Sequence, residues 1–344
     1  MPIPHPAGRG ISFPSDVRVV WGLAMMVVTG AFGYTGRYIA RLLLSSGHRV
    51  RTLTNHPDRP NPFGSAVEVR PLAFDRPEEL STSLAGARCL FNTYWVRFSH
   101  GETTFEQAVE NTGRLIAAAG EACVERLVHL SIVNPQEGSP LPYFRGKAVV
   151  EKAVISSGLS HAIVRPTVIF GGRDIFINNI AWLLRRFPIF AVPGTGDYRL
   201  QPVFVEDVAR ICVEAGAKNE NLVEDAAGPE ILTFEELVRL IAGAVGSEAL
   251  IVHARPSLSL LLTRLVGCAV RDVVLNREEL EGLMASLAVS GAPPLGETSF
   301  SGWLKQNSRR LGIRYASELS RHYRRPGGPG AGALPRSRVR SAAR

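Results

Sequence analysis

The segment Met26-Val27-Val28-Thr29-Gly30-Ala31-Phe32-Gly33-Tyr34-Thr35-Gly36-Arg37 constrains this chain more than any other. A short apolar run breaks into three glycines spaced by three and then into a helical pattern. The run up to Thr29 suits a buried parallel strand, and Tyr38 to Leu44 repeats its apolar residues at helical spacing. A tight turn must join them. Glycine at Gly30 permits a sharp exit from the strand, Gly33 lets a pyrophosphate approach the backbone, and Gly36 lets the helix lie close to the sheet. Backbone N–H groups at the helix start, with roughly half a positive charge of helix macrodipole behind them, then hold the phosphates. The segment reads as a dinucleotide cradle, although its spacing of three and three differs from the two and three of the usual fingerprint. Expected cofactor contacts are Thr29, Gly30, Phe32, Gly33, Tyr34, Thr35 and Gly36.

Strand patterns recur at Arg49 to Leu53, Val67 to Pro71, Cys89 to Asn92, Leu127 to Ser131 and His161 to Arg165, with helical patterns between them. Such alternation specifies right-handed βαβ units and a parallel sheet covered on both faces. Asp75 with Glu78 is expected to be a helix N-cap and its box partner. Beyond Arg165 the pattern loosens, with Pro188, Pro193 and Pro202 interrupting it, and helices are expected at Val205 to Ala215 and Thr233 to Val245. The strongly apolar Leu258 to Val270 is expected as a core or dimer helix in preference to a membrane-surface helix.

With 344 residues, 45% apolar and 20% charged, the chain can bury a large core. Most of its net charge of +8 comes from the six arginines between Arg324 and Arg344, a stretch without acids. The body is nearly neutral, so no nucleic-acid groove is indicated. The Pro-, Gly-, Ala- and Arg-rich tail is expected to be disordered, and residues 1–24 an unstructured extension. Cys89, Cys123, Cys212 and Cys268 show no metal-ligand or Cys-x-x-Cys spacing, which fits a reduced, cytoplasmic setting and no metal site. No signal peptide and no run of about 18 apolar residues appears, so no membrane span is expected.

Tyr143-Phe144-Arg145-Gly146-Lys147 places a phenol and an ammonium four residues apart, on one face of a helix. An ammonium beside a phenol favours phenolate and lowers its pKa from about 10 toward working pH. Tyr143 then acts as the acid/base partner of a hydride transfer, with Lys147 lowering its pKa. Ser131, at a strand end, either donates to the substrate oxygen or caps the strand. His129 is read as a core histidine, and Asn92 and Asn111 as bracing residues, with Asn92 also a cofactor contact. The loop Thr93 to Phe98 is expected to line a partly apolar substrate cleft. After the second strand, Asn55 is positioned for the adenosine ribose, and Arg59 with no acid at the strand end leans the cofactor toward NADP.

Together, Thr29-Gly30-x-x-Gly33-x-x-Gly36, Tyr143-x-x-x-Lys147 and Arg165-Pro166-Thr167-Val168-Ile169-Phe170-Gly171 resemble the short-chain dehydrogenase/reductase superfamily. Asn111-Thr112, Val203 to Ala209 and Leu232 to Leu237 resemble its extended and atypical branches, which include sugar-nucleotide epimerases, NmrA-like proteins and the nucleotide-binding accessory subunit of respiratory complex I. The ending Tyr315 to Tyr323 resembles bacterial relatives of that subunit. The resemblance implies an α/β, doubly wound Rossmann fold with residues 25–170 as the NAD(P)-binding domain. Residues 171–323 would form a smaller substrate lobe interleaved with it. It implies Tyr143 and Lys147 as the active-site pair, with Lys147 also holding the nicotinamide ribose. Ser131-Ile132-Val133 replaces the family's usual run of serines. The expected function is an NAD(P)-dependent oxidoreductase, or an epimerase or dehydratase using transient hydride transfer, on a small organic substrate. The alternative is a non-catalytic NAD(P)H-binding scaffold or redox sensor, peripheral to a membrane or protein complex. A homodimer is a further expected partnership.

Overall fold

The computed structural model describes residues 24–323 apart from Asp58, so the expected extension before Ala24 and the basic tail lie outside the described residues. In chain order the first half runs β1 (Met25–Thr29), α1 (Thr35–Ser45), β2 (Arg49–Thr54), β3 (Val67–Pro71), α2 (Pro77–Leu84), β4 (Ala87–Asn92) and α3 (Phe105–Glu121). It continues through β5 (Arg126–Leu130), α4 (Pro142–Ser156) and β6 (His161–Pro166). The second half is β7 (Val168–Phe170), α5 (Phe176–Arg186), β8 (Ile189–Pro193), β9 (Arg199–Leu200), β10 (Pro202–Phe204), α6 (Val205–Ala217), β11 (Leu222–Ala226), β12 (Leu232–Thr233) and α7 (Phe234–Val245). It closes with β13 (Leu250–Ala254), α8 (Pro256–Val270), α9 (Arg277–Met284), α10 (Phe300–Asn307) and α11 (Glu318–His322).

Seven strands form one parallel sheet in the order β11-β6-β5-β4-β1-β2-β3. Val27, Val28, Leu53, Leu90 and Ile163 have no exposed surface. Their strands read as continuous apolar runs because helices cover both faces. Ile39, Ala40 and Leu43 of α1 join Val208, Ile211 and Cys212 of α6 against one face, and Leu80, Leu115, Ile116, Val150 and Val154 from α2, α3 and α4 cover the other. The strand order reverses between β1 and β4, which opens a crevice at their carboxyl ends. A second core gathers Phe170, Ile177 and Ile180 with Leu237, Ile241, Phe300 and Trp303.

Three local expectations are corrected. Asp75 does not cap α2: the cap position is Arg76, without a side-chain cap bond, and Pro77 with its fixed φ starts the helix instead. Thr233 lies one residue before α7 as its cap and forms the box with Glu236, while α6 continues to Ala217. The segment 258–270 is helical, but it is not a core helix. Of α8 only Ser259 and Gly267 are buried, because its apolar side chains surround the whole helix and one face alone meets the rest of the molecule. Among the described residues no helix is long and apolar enough to cross a membrane.

Candidate active site

The glycine turn leaves β1 at the reversal point. Gly30 takes φ +68°, a left-handed value that a Cβ would strain, and its carbonyl accepts from Gly33 N at 2.8 Å. A Cβ on Gly36 would stand 2.5 Å from the Gly30 carbonyl oxygen, and one on Gly33 3.0 Å from the same atom. Helix α1 thus begins pressed against its own turn. No side chain caps its start at Tyr34 and no acid lies in its first turn, so its amides present a positive end. That cradle fits a dinucleotide diphosphate.

Not every expected contact faces outward. The Thr29 hydroxyl donates to Asn92 Oδ1 at 3.1 Å and accepts from Thr93 N at 2.8 Å, so it laces β1 to the loop after β4. Asn92 Oδ1 also accepts from Tyr94 N at 3.0 Å, which fixes its amide so that Nδ2 donates to His129 Nδ1 at 3.1 Å. The proton of His129 therefore sits on Nε2, and burial, then the Lys147 cation, hold the ring well below the usual histidine pKa. Thr29, Asn92 and His129 act as bracing. Asn111 Nδ2 donates to the Tyr94 hydroxyl at 3.0 Å, which also braces the loop. Phe32 and Thr35 are buried beneath the turn, and Asn55 is exposed at the end of β2.

A cavity of about 430 Å³ opens at the carboxyl ends of β5 and β6 and is lined by Tyr34, Trp95, Ser131, Tyr143, Lys147 and Thr167 among others. Ser131 directly follows β5, and its amide donates to Val164 O at 2.8 Å. Its hydroxyl is buried without a partner, so it caps nothing; the Tyr34 and Thr167 hydroxyls are likewise buried and unpartnered. Buried hydroxyls of this kind await a ligand atom or water.

Tyr143 and Lys147 share a face of α4, as their spacing requires, but the ammonium does not lower the phenol. Trp95 stands between them, its ring 6.1 Å from that of Tyr143 in a T-shaped contact and 4.4 Å from Lys147 Nζ. Lys147 Nζ donates to Leu130 O at 2.8 Å. The phenol is raised above its ordinary pKa by burial and by the Glu279 carboxylate, against a smaller opposing pull from Arg97. Burial brings Lys147 down to about 7, opposed by Glu151, which Arg165 clamps with bonds of 2.9 and 2.5 Å.

The depressed lysine has a measurable consequence. Above pH 7 the unfolded chain keeps the Lys147 proton that the folded chain has released, so stability should rise with pH, by up to about 1.4 kcal/mol per pH unit, until the unfolded lysine also titrates. Urea midpoints taken from pH 7 to 10 should show that slope in the native chain and its loss in Lys147→Met; parallel profiles would contradict it.

Three features of the site had no local sequence signal. Arg97 pairs with Glu279, and at 2.9 Å with Glu318, from segments about 180 and 220 positions away. Burial opposes the Arg97 cation, and the two carboxylates outweigh it. Asp174 lines the same cavity and is pushed up to about 7 by burial despite bonds from Ile177 N at 2.7 Å and Gly171 N. Arg37, Arg41, Arg173 and Arg321 crowd together beside the glycine turn, so that Arg37 is lowered first by burial and then by Arg173 and Arg41.

Residues 30–174 match an NAD(P)H-binding family model. The chain is 25% identical over 248 residues to the mitochondrial NADH dehydrogenase [ubiquinone] 1 alpha subcomplex subunit 9 of Arabidopsis thaliana, a match covering 69% of this chain. It spans only 61% of that relative. It is 29% identical over 230 residues to the (4-alkanoyl-5-oxo-2,5-dihydrofuran-3-yl)methyl phosphate reductase of Streptomyces griseus, covering 64% of this chain and 74% of that one. The structure of Citrobacter sp. triphenylmethane reductase complexed with NADP(H) superposes with a TM-score of 0.65 at 18% identity, over 83% of this chain and 99% of that one, which attests the fold. With its cradle and its Tyr-x-x-x-Lys helix, the chain carries an NAD(P)H-binding domain over residues 30–174 and is similar, through these relatives, to the extended and atypical branch of the short-chain dehydrogenase/reductase superfamily.

Proposed function

We propose that the chain is an NAD(P)H-dependent reductase of a small carbonyl compound, with Tyr143 as proton donor. The observation that carries this reading is the unpartnered Ser131 hydroxyl, buried in the wall of the cavity that Tyr143 and Lys147 also line. When bound, NAD(P)H supplies the hydride that adds to the carbonyl carbon. The turn of Gly30, Gly33 and Gly36 and the first amides of α1 hold its diphosphate, with Tyr34 and Asn55 at the edges of the cradle. Ser131 donates to the substrate oxygen, and Tyr143 gives that oxygen its proton, so a ketone leaves as an alcohol. Reduction needs the phenol protonated, which burial and Glu279 favour. Lys147 is assigned to the ribose and to the phenolate left behind, exchanging its bond to Leu130 for these. The crowded arginines beside the turn favour the more anionic NADP(H). The second half supplies the substrate lobe, and the free, exposed thiols of Cys123 and Cys268 suit a reducing, cytoplasmic compartment.

The second reading, a nucleotide-binding scaffold in a protein complex, draws on the relatives named as NADH dehydrogenase subunits and on Lys147 being engaged away from Tyr143. Calorimetry with NADPH and NADH, followed by cofactor oxidation against a ketone panel, separates the two. Expected are tighter binding of NADPH, oxidation with at least one ketone, and loss of binding in Gly36→Ala, whose methyl group meets a backbone oxygen that cannot yield. Tight binding without oxidation would favour the scaffold; no binding of either nucleotide would sink both.

A further inference from the structure

A second cavity, of about 500 Å³, lies under α8 and shares Arg97, Ile175, Phe176 and Leu275 with the first. The two spaces therefore adjoin at these four residues. The second is enclosed by Ile180 and Leu183 of α5, Phe190 of β8, and Leu262, Leu265 and Val266 of α8. Its polar side chains are mostly spent elsewhere. Asn179 exchanges bonds of 3.0 and 2.9 Å with the Ala316 backbone, the Thr263 hydroxyl donates to Leu260 O at 3.0 Å, and Arg97 is held by its two glutamates. Among these lining side chains only the Ser259 hydroxyl is without a partner. Such walls offer apolar contact and almost nothing to a charged or sugar-like ligand, and their volume is that of a ligand site of about 300–1,000 Å³.

The outer wall is unusual as well. Helix α8 carries one charge, Arg264, and leaves Leu261 53% and Leu265 60% exposed. An apolar helix over an apolar hollow lets an aliphatic ligand pass inward without crossing polar surface.

We infer that the second cavity holds the aliphatic tail of the substrate, whose carbonyl end lies against Tyr143 and Ser131 in the first. This rests on the reductase reading. The test is calorimetry on the full chain with NADPH present, using 1-butanol, 1-hexanol, 1-octanol and 1-decanol as probes. Affinity should rise about fourfold per methylene until the cavity fills, from about 0.8 kcal/mol for each buried CH₂. Ala191→Phe, projecting from β8 into the cavity, should weaken 1-octanol at least tenfold and leave NADPH binding unchanged. Ala191→Leu, a smaller intrusion, should give an intermediate loss if the larger variant does not fold. Equal affinity along the series, or full 1-octanol affinity in the folded variants, would overturn the inference. The matching 2-alkanones distinguish the two claims. Chain-length-dependent binding without NADPH oxidation would refute the reductase and support the tail site, whereas equal turnover of short and long ketones would refute the tail site alone.

Discussion

Tyr143→Phe should lower NAD(P)H-dependent ketone reduction by about 10²- to 10⁴-fold, the range for losing a positioned general acid, while nucleotide affinity stays unchanged. The substitution removes one oxygen and keeps the ring that packs on Trp95, Phe105 and Phe144. The fold should therefore be retained, and the loss should fall on kcat more than on KM. A second arm follows from the electrostatics. Because Glu279 helps keep the phenol protonated, Glu279→Gln should move the alkaline limb of the pH–rate profile to lower pH. A Tyr143→Phe protein with full turnover would remove the phenol from the mechanism.

Arg97→Leu should destabilise the chain by about 3 kcal/mol, because it removes the guanidinium that bridges Glu279 and the buried Glu318. The side chain of Glu318 is only 2% exposed, and Glu279, the second partner, is 20% exposed. Adding Glu318→Gln to Arg97→Leu should restore part of that stability by discharging the buried carboxylate, a coupling that a double-mutant cycle by urea denaturation reads directly. A loss below about 1 kcal/mol, the scale of an exposed pair, would mean that solvent already screens the cluster.

The sheet was legible because its signals are local. Buried parallel strands announce themselves as short apolar runs, and β2 to β6 start and stop within two residues of the patterns that predict them. The glycine turn was legible for the same reason, since Gly30 is dictated by its own left-handed φ and Gly36 by the Gly30 carbonyl six residues before it. The chemistry around Tyr143 was only half legible. Helical spacing places Tyr143 and Lys147 on one face, but whether they meet depends on Trp95, delivered by a loop some fifty positions earlier. The raised phenol depends first on burial and then on Glu279, still farther along the chain. Apolar content alone also misled at α8, where hydrophobic residues all round a helix imply a core that its packing does not supply.

The position of β11 has a consequence for how the molecule is assembled. This strand pairs with β6 from Ala162 to Pro166, and α6 before it covers β5, β6 and α1, although both come after the second core has begun. A chain emerging in order thus waits with the amides and carbonyls of β6 unclaimed along one border until residue 226 has been made. The first half of the chain and the second are for that reason not separable pieces: a cut near residue 170 would bare a template for unwanted strand pairing instead of freeing a module.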